Sequence, residues 1–441
     1  MLGQMNRTDT IDLTPEIEQA FLIAVDTDDD EGWTAEDSLE ELASLADTAG
    51  ADVVGAEWQR RRHIDPNWYL GKGKAEELRS AMRETGFTTL IADDELSPKQ
   101  QKALEELLSV KVLDRSGLIL DIFAQHARTH EGRLQVELAQ LEYQLPRLTR
   151  MWIHLSRTGG GIGTRGPGET QLETDRRVIR ARIKKLKERV EHVRQQRETA
   201  GRSRDRRLVP SVAIVGYTNA GKSSILNALS GRQAARAEDQ LFATLDPTSR
   251  QVKLGDGQSV VLTDTVGFIH KLPHQLIDAF RATLEEVSRA DVLLEVVDGS
   301  DAHASEHRET VQEVLGELDA GDKPRVVALN KADLYDAAHS EADDAAPLLG
   351  EFVPVSALTG YGLDTLRIRL ASVLAGLWED VDVTLPYAEG ELLARVRERG
   401  TVEVDYRDTD VHIVGRVVPS LAGELRAAGA RWQRASEGVS P

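Results

Sequence analysis

The feature that most constrains this 441-residue chain is a glycine-rich segment between an apolar strand and a helix. Residues 212–215 have the composition of a buried strand, and residues 224–229 continue as a helix that Gly231 can end. The segment between them has the pattern G-x-x-x-x-G-K-S, whose backbone N–H groups converge on phosphate oxygens at the positive end of the helix dipole. We therefore predict a phosphate-binding loop formed by Gly216, Tyr217, Thr218, Asn219, Ala220, Gly221, Lys222 and Ser223.

Two side chains of this loop and a second motif predict a site for a magnesium–nucleotide complex. Lys222 can reach the β- and γ-phosphates, and the Ser223 hydroxyl can bind Mg²⁺. A second strand, residues 259–263, ends in Asp264, Thr265, Val266 and Gly267. Asp264 can hold Mg²⁺ through water, and the Gly267 N–H can sense the γ-phosphate. We expect Lys222 and Gly267 to act directly in catalysis.

Two further motifs predict which base is bound. The strand at 325–329 ends in Asn330, Lys331, Ala332 and Asp333, and the segment 353–358 ends in Ser356, Ala357 and Leu358. The Asp333 carboxylate can accept from N1–H and from the exocyclic amine of guanine, and the Ala357 N–H can donate to guanine O6. Adenine lacks that donor pair, and an unpaired buried carboxylate costs about 1–3 kcal/mol or more. The motifs, each at the end of a strand, predict a site for GTP and GDP.

The rest of the chain predicts an α/β fold. Apolar runs at 21–25, 52–54, 88–91 and 111–113 alternate with helical stretches at 38–48, 74–85 and 98–108, which predicts a small parallel sheet flanked by helices. A helix at 391–399 and strands at 402–404 and 411–414 predict a small α+β tail. The expected organisation is a flexible N-terminus (1–18), an α/β subdomain (19–127), a helical hairpin (128–207), a P-loop domain with a mostly parallel sheet (208–376), an α+β domain (377–436) and a flexible end (437–441).

The predicted hairpin has two matched heptad seams. Leu134, Leu138, Leu141, Leu145 and Leu148 recur at spacings of 4, 3, 4 and 3, as do Ile179, Ile183, Leu186, Val190 and Val193. The connection at 157–168 holds six glycines, one proline, Arg157 and Arg165. Glycine allows close approach of a partner, so we favour a thin functional tip over a plain linker between core helices.

Charge distinguishes this hairpin from the rest of the chain. Residues 128–207 contain 20 Lys or Arg against 10 Asp or Glu, a net of +10 in a chain of net charge −20, so the remainder carries −30. That contrast predicts a polyanionic partner, most simply RNA. The acidic surface has only 13 Lys beside 41 Arg, which favours a high-salt cytoplasm and a halophilic archaeal host over an ordinary acidic protein.

Other functional classes are excluded or disfavoured. The absence of cysteine excludes disulfides, zinc–thiolate sites and a cysteine nucleophile. Residues 1–12 lack a signal-peptide core, and the apolar runs are far shorter than the roughly 18–20 residues of a membrane helix. We expect a cytoplasmic protein without a membrane partner, acting as a monomer.

Together these motifs resemble the small GTPases of the translation-factor-like class, and residues 241–248 resemble switch I of the HflX family. The likeness extends to residues 69–74, 129–141 and 159–175. It implies nucleotide contacts from Phe242, Ala243, Thr244, Leu245 and Asp246. By this match Thr244 closes over the γ-phosphate and joins Ser223 and Asp264 at Mg²⁺, which gives it a catalytic role. Thr248 is the competing threonine, and spacing alone does not separate the two.

The resemblance implies a ribosome-associated GTPase that binds the large subunit and its rRNA through the hairpin, with the tip near the peptidyl-transferase region. Better-studied members separate stalled ribosomes. Two alternatives stay open: an RNA-remodelling or assembly factor that acts on free or immature rRNA particles, and a switch that docks a protein. The positive charge of the hairpin disfavours the second alternative.

Two segments differ from the motifs of familiar nucleotide-binding proteins, and each difference leads to a separate prediction. Phe268 follows Gly267 where Ras-like proteins place the glutamine that orients water, so we expect slow intrinsic hydrolysis that a partner accelerates. His270 is the nearest polar substitute, although an exposed loop histidine is the expectation. Lys72 and Lys74 lack the strand and the Ser/Thr of a second P-loop, which favours a helix-entry turn.

Overall fold

The computed structural model describes residues 17–27, 33–148, 171–205, 209–231, 241–254, 258–273, 284–334, 352–417 and 419–432. The chain divides into two compact units. One contains Met1–Gln125 and Ala139–Arg180, and the other contains His126–Leu138 and Ala181–Pro441. Among the described helices, none is long and apolar enough to cross a membrane.

The first unit is built on a four-stranded parallel sheet with the order β2-β1-β3-β4. Six consecutive residues of the central strand β1 are buried, as expected when helices cover both faces of a parallel sheet. Side-chain capping boxes begin two of the helices, at Thr34 and at Ser97. The elements are β1 (Gln19–Asp26), α1 (Ala35–Thr48), β2 (Asp52–Arg60), α2 (Lys72–Thr85), β3 (Thr89–Ala92), α3 (Pro98–Leu108), β4 (Lys111–Asp114) and α4 (Arg115–His126).

A buried ion network lies at the carboxyl end of this sheet. Arg115 is 1% exposed; its Nη2 is 3.0 Å from Asp93 Oδ1 and its Nη1 is 2.6 Å from Glu41 Oε2. The second oxygen of Asp93 accepts a hydrogen bond from the Ser38 hydroxyl at 2.7 Å. Each buried charge therefore has a partner, which is the condition under which burial of ions is tolerated.

Replacing Arg115 with Ala is expected to destabilise this unit by about 3–5 kcal/mol, because Asp93 and Glu41 become buried charges without a counter-ion. The free energy of local opening, measured by hydrogen exchange of the β3 amides in the full chain, reports the change. The matched control is Lys111→Ala. Its ion pair with Glu18 is about half exposed at both partners, so its loss costs about 1 kcal/mol or less. Equal effects of the two variants would contradict the assignment.

Two long helices, α5 (His130–Arg147) and α6 (Gln171–Asp205), correspond to the predicted hairpin. Of the predicted seam residues, Leu134, Leu138, Ile183 and Leu186 are buried. Arg182 Nε donates to Glu137 Oε1 at 2.7 Å, which connects the two helices. The predicted tip at 157–168, with Arg157 and Arg165, lies outside the described residues.

The second unit contains a six-stranded sheet with the order β10-β9-β8-β5-β7-β6, in which only β6 runs antiparallel to its neighbour. Its core consists of Val, Leu, Ile and Ala side chains from the strands and from α7 and α9. The carboxyl ends of its parallel strands meet at one edge, where ligands bind in sheets of this kind. The elements are β5 (Ser211–Gly216), α7 (Lys222–Leu229), β6 (Thr248–Lys253), β7 (Ser259–Asp264), β8 (Val292–Asp298), α8 (Ala304–Glu317), β9 (Arg325–Asn330), β10 (Phe352–Pro354) and α9 (Leu363–Gly376).

A separate antiparallel sheet, ordered β12-β13-β11-β14, forms near the C-terminus. Along β11 the residues Val381, Val383 and Leu385 are buried and alternate with more exposed residues, so one face of the sheet packs on its helices. The elements are β11 (Glu379–Pro386), α10 (Gly390–Arg399), β12 (Thr401–Tyr406), β13 (Asp410–Val417), α11 (Pro419–Ala427) and β14 (Arg431–Trp432).

The predicted α/β class is confirmed, including the parallel N-terminal sheet, the mostly parallel P-loop sheet and the α+β tail. The sequence did not predict α4, β6, β8, α8, α9, β11, α11 or β14 individually, and it predicted β2 six residues too short. Helix α4 follows β4 with no intervening residue, and β11 alternates its apolar residues with acidic ones. Both elements nevertheless carry a signal that the prediction did not use: α4 contains the apolar residues Leu118–Leu120, Ile122 and Phe123, and the alternation in β11 is typical of a strand with one buried face.

Candidate nucleotide site

The predicted phosphate-binding loop connects β5 to α7 at the carboxyl edge of the six-stranded sheet. Gly221 has a φ of +89°, and a Cβ at this position would lie 2.2 Å from Asn330 Nδ2, so only glycine fits. Lys222 opens the helix, is buried, and donates from Nζ to the Tyr217 carbonyl at 2.6 Å. Its ammonium group is therefore held inside the loop, at the position where phosphate oxygens would bind.

Three side chains predicted at the metal converge in the structure. Ser223 Oγ donates to Asp264 Oδ2 at 2.6 Å and lies 2.8 Å from Thr244 Oγ1. They come from the start of α7, the end of β7 and the segment before β6. Ser223 and Asp264 are 41 positions apart in the sequence, so the fold alone brings these groups together.

The structure separates the two threonines that spacing left open. Thr244 is half-buried at Ser223, whereas Thr248 is exposed and begins β6, where its backbone pairs with Asp264. The segment holding Thr244 is anchored by Phe242, whose N–H donates to Thr218 Oγ1 at 3.1 Å. Phe242 has a φ of +56° and Leu245 is buried, while Ala243 between them is exposed.

Burial shifts the proton affinities of the two charged groups in opposite directions. It lowers the pKa of Lys222 to about 8, although the nearby Asp264 charge acts the other way. It raises the pKa of Asp264, against the hydrogen bond from Ser223 and the charge of Lys222. In both cases removal from water outweighs the local partners, so each charged form lacks compensation in the protein alone.

The chemistry of these groups fits Mg²⁺ with a nucleotide. Asp264 Oδ1 is buried and has no hydrogen-bond partner among the described residues. Two hydroxyls and a carboxylate are oxygen ligands, which Mg²⁺ prefers, and it usually completes its shell with water and phosphates. Accordingly, the described residues contain no cluster of three or more His, Asp or Glu that could hold a metal without a nucleotide.

The segment after β7 passes directly over the phosphate loop. A Cβ at Gly267 would lie 2.7 Å from Thr218 Cα and 2.9 Å from Lys222 Nζ, so a side chain there would collide with the loop. Thr265 Oγ1 donates to the Ile214 carbonyl at 2.7 Å, and Val266 is buried. These contacts hold Gly267 against the phosphate loop, beside the Lys222 ammonium group.

Phe268 points into the protein. Its side chain is fully buried, its N–H donates to the Gly216 carbonyl at 3.2 Å, and its carbonyl accepts from the Thr218 N–H at 2.7 Å. The next polar residue, His270, donates its backbone N–H to the Tyr217 hydroxyl at 2.8 Å. Among the described residues, the segment thus places no glutamine-like side chain where water would attack.

The base-recognition loops are connected to the phosphate loop by Asn330. Its Nδ2 donates to the Ala220 carbonyl at 2.9 Å, and its Oδ1 accepts from the Ala357 N–H at 3.1 Å. Ala332 donates its N–H to the Val355 carbonyl at 3.0 Å, which holds the two loops side by side. One amide side chain therefore sets the spacing between the phosphate and base regions.

The remaining predicted residues differ in exposure. Asp333 and Leu358 are exposed at the rim, and Ser356 is fully buried beneath them. Lys331 pairs with Asp298 at 2.6 Å, which the sequence did not predict because Asp298 ends a strand without a recognised motif. Tyr217 is buried and Asn219 has a φ of +58°.

One predicted nucleotide contact lies elsewhere. Asp246 does not turn toward the phosphate loop; its carboxylate accepts from the N–H groups of Arg128 and Thr129 at 2.9 and 2.8 Å. These residues precede α5, 117 or more positions away in the sequence. The sequence did not predict this contact, because neither segment contains a motif that indicates the other as its partner.

The P-loop, the Asp-x-x-Gly segment and the two base loops, each at the carboxyl end of a strand, define the class of P-loop GTPases. Three family models match this chain: "GTP-binding GTPase N-terminal" over residues 36–124, "GTP-binding GTPase Middle Region" over 126–204 and "50S ribosome-binding GTPase" over 211–331.

Comparison with characterised relatives identifies the family. The chain is 46% identical over 413 residues to GTPase HflX of Lacrimispora saccharolytica, covering 94% of this chain and 96% of that one. It is 44% identical over 393 residues to GTPase HflX of Escherichia coli K12, covering 89% and 91%. The chain belongs to the HflX family of GTPases, and it is a GTP-hydrolysing enzyme.

A solved structure is also similar. A GTP-binding protein of the hyperthermophilic archaeon Sulfolobus solfataricus, crystallised with GDP, is 26% identical with a TM-score of 0.41 and covers 81% of this chain and 98% of its own.

Replacing Thr244 with Val is expected to raise the Mg²⁺ concentration for half-maximal GTP hydrolysis and to lower the rate by about 10- to 100-fold, because a hydroxyl at the metal is lost. The matched control is Thr248→Val, which removes the same hydroxyl from an exposed strand position. Steady-state hydrolysis across a Mg²⁺ titration measures both. A higher Mg²⁺ requirement in the Thr248→Val variant alone would contradict the assignment of Thr244 to the metal site.

Replacing Asp333 with Asn is expected to weaken GTP binding by about 10- to 100-fold, because the amide cannot accept from both guanine donors. Xanthosine triphosphate carries a carbonyl where guanine carries its amine, so the amide N–H can donate to it and binding of that nucleotide should appear. Titration of both nucleotides measures the exchange, with Asp364→Asn, an exposed helical position, as the control. Unchanged preference for GTP would show that Asp333 does not read the base.

Proposed function

We propose that the Ser223 and Thr244 hydroxyls and the Asp264 carboxylate hold Mg²⁺ when GTP is bound, with Asp264 acting through water. The support is their convergence within 2.8 Å and the buried, unpartnered Asp264 oxygen. Mg²⁺ would neutralise charge on the β- and γ-phosphates. Asp333 would then read the guanine base, and the Ala357 N–H, which donates to Asn330 Oδ1 in this structure, would have to be shared with guanine O6.

The residues of the chain would contribute by positioning and by charge. Lys222 would release the Tyr217 carbonyl and donate to phosphate oxygens, and binding a dianion would restore its full protonation. The loop N–H groups and the Gly267 N–H would donate to the γ-phosphate oxygens as negative charge develops on them. Thr244 would close the segment 241–246 over this group and shield it from bulk solvent.

We propose further that hydrolysis is slow in the isolated protein and faster on its partner. The support is the buried Phe268 side chain, whose backbone is held on both sides by Gly216 and Thr218. Rotating this side chain out of the core toward the γ-phosphate would expose an aromatic ring that cannot orient a water molecule as a glutamine amide does. The group that orients the attacking water would then come from the partner or from His270 after rearrangement.

The partner we propose is the large ribosomal subunit, bound through its rRNA by the arm at 128–207. The residues 211–331 match a model described as a 50S ribosome-binding GTPase. The arm carries a net charge of +10, and the described part of α6 presents its basic side chains to solvent: Arg177, Arg180, Arg182, Lys184, Lys185, Lys187 and Arg189. A polyanion is the partner that such a helix fits.

The salt concentration would determine over what distance the arm attracts rRNA. At about 1 M salt the Debye length is only ~3 Å, so attraction to rRNA at a distance would be screened. Binding would then depend on close arginine–phosphate geometry, which suits the planar, bidentate guanidinium better than the lysine ammonium. Arginine accounts for 17 of the 20 basic residues of the arm, in keeping with this requirement.

The role we propose is to separate stalled ribosomes in the cytoplasm as a monomer under the control of GTP. Sucrose-gradient centrifugation of intact ribosomes with the protein and GTP, or the analogue GMPPNP, at the host's salt tests this role. We expect dissociation into subunits, with the protein on the large subunit. Binding to immature particles alone would instead favour the assembly role.

The arm is tested in the same gradients with Arg157→Ala/Arg165→Ala. We expect about 10-fold weaker binding to the large subunit or more, because two phosphate contacts are lost, with unchanged GTP affinity. The matched control, Arg83→Ala/Arg369→Ala, removes two exposed arginines from outside the arm. Equal losses in both double variants would show that general charge, rather than the arm, governs binding.

A further inference from the structure

The first turn of α5 is held by a residue of the segment that carries Thr244. Asp246 Oδ2 accepts the N–H groups of Arg128 and Thr129 at 2.9 and 2.8 Å. Its other oxygen, Oδ1, accepts a short hydrogen bond from the Thr129 hydroxyl. All of these residues belong to the second compact unit. One carboxylate thus receives three hydrogen bonds from two consecutive residues.

Thr129 connects Asp246 to helix α5. Its hydroxyl oxygen accepts from the Gly132 N–H at 2.9 Å, and its carbonyl accepts from the Arg133 N–H at 3.1 Å, which begins the helical hydrogen bonding. Thr129 is therefore the N-cap of α5, and Asp246 places a negative charge at the positive end of the helix dipole. The helix start and Asp246 stabilise each other.

The packing leaves room for this contact only because residue 132 is glycine. A Cβ at Gly132 would lie 2.4 Å from Asp246 Oδ1 and 3.2 Å from Thr129 Oγ1. Gly132 is buried in a helix and its φ is not positive, so backbone conformation does not require glycine at this position. Glycine is required because a side chain would have no room. The close approach of Asp246 is thus built into both segments.

Asp246 is two residues from Thr244, and the backbone between them is fixed by the buried Leu245. The segment is held at Thr218 through Phe242, at Ser223 through Thr244, and at Thr129 through Asp246. Moving Thr244 away from Ser223 by a few ångströms would pull the Asp246 carboxylate off the three donors. The position of Thr244 at Ser223 and the Asp246 cap are therefore coupled through the short segment that joins them.

We propose that Asp246 is a positioning residue. By capping α5 it stabilises the closed position of Thr244, in which the Thr244 hydroxyl lies against Ser223, and so it favours binding of GTP over binding of GDP. GTP requires this closed position because Thr244 faces the γ-phosphate, whereas GDP has no group to hold it. By linkage, contacts present only in the closed state strengthen binding of the ligand that needs that state, and bound GTP stabilises the start of α5 in return. The proposal rests on the function proposed for the Thr244 site and adds the route by which nucleotide state reaches the arm.

The test compares affinities for GMPPNP and GDP in the full chain at saturating Mg²⁺. For Asp246→Ala we expect GMPPNP affinity to fall roughly three- to tenfold, the range for loss of a helix cap, and GDP affinity to change less than twofold. Asp246→Asn keeps an acceptor for the two N–H groups and should recover most of the loss.

Thr129→Val tests the helix side of the contact, because it leaves the segment 241–246 intact. We expect a loss in the same direction, roughly two- to fivefold for GMPPNP, and a double variant with Asp246→Ala no weaker than Asp246→Ala alone. The matched control is Thr34→Val, which removes the capping hydroxyl of α1 and should change neither affinity.

Hydrogen exchange adds a direct readout. In the wild-type chain the amides of residues 128–133 should exchange more slowly with GMPPNP than with GDP, and Asp246→Ala should abolish that difference. Equal losses of GMPPNP and GDP affinity, unchanged GMPPNP affinity, or nucleotide-independent exchange in the wild type would each overturn the proposal. The assays contain no ribosomal component, so a failure of the ribosome-splitting role leaves their outcome unaffected.

Discussion

The contact of the Thr244 hydroxyl with Ser223, beside the Asp264 carboxylate, is the interaction on which the rest of the site depends. It joins the start of a helix, the end of a strand and an intervening loop at one point. Burial lowers the pKa of Lys222 and raises the pKa of Asp264, so it disfavours the charged form of both groups. A magnesium–nucleotide complex supplies the opposite charges that this arrangement lacks.

Two other constraints extend outward from that point. Asn330 fixes the base loops to the phosphate loop, so the distance between guanine and phosphate is set before a nucleotide binds. Phe268, in contrast, is withdrawn into the core by its backbone contacts. The site is thus preorganised for recognition, and the position of Phe268 supports our proposal that a partner sets the rate of hydrolysis.

Much of this could be predicted from the sequence, for a physical reason. Strand–loop–helix order and fixed spacing place Gly216 to Ser223, Asp264 and Asn330 at strand ends, and parallel strand ends share one edge of a sheet. The family resemblance pointed to Thr244, but spacing alone could not separate it from Thr248, because the choice depends on where a loop turns. The Asp246 contact with Thr129 could not be predicted either, since it spans 117 positions without a motif.

The hairpin and the N-terminal sheet also differ in how far the sequence predicts their buried residues. The heptad spacing predicts the buried Leu134 and Ile183, because burial follows periodicity. The buried Arg115 network follows no periodicity and was missed, since a lone arginine after a strand ordinarily faces solvent. The salt-adapted archaeal host stays a prediction from composition.

The most direct test of the account is the single-turnover rate of GTP hydrolysis with and without purified large ribosomal subunits at saturating Mg²⁺. The account predicts a slow rate for the protein alone, because Phe268 cannot orient water, and an increase of about 100-fold or more on the subunit. Equal rates in the two conditions would show that the chain completes its own catalytic site, and would contradict the account.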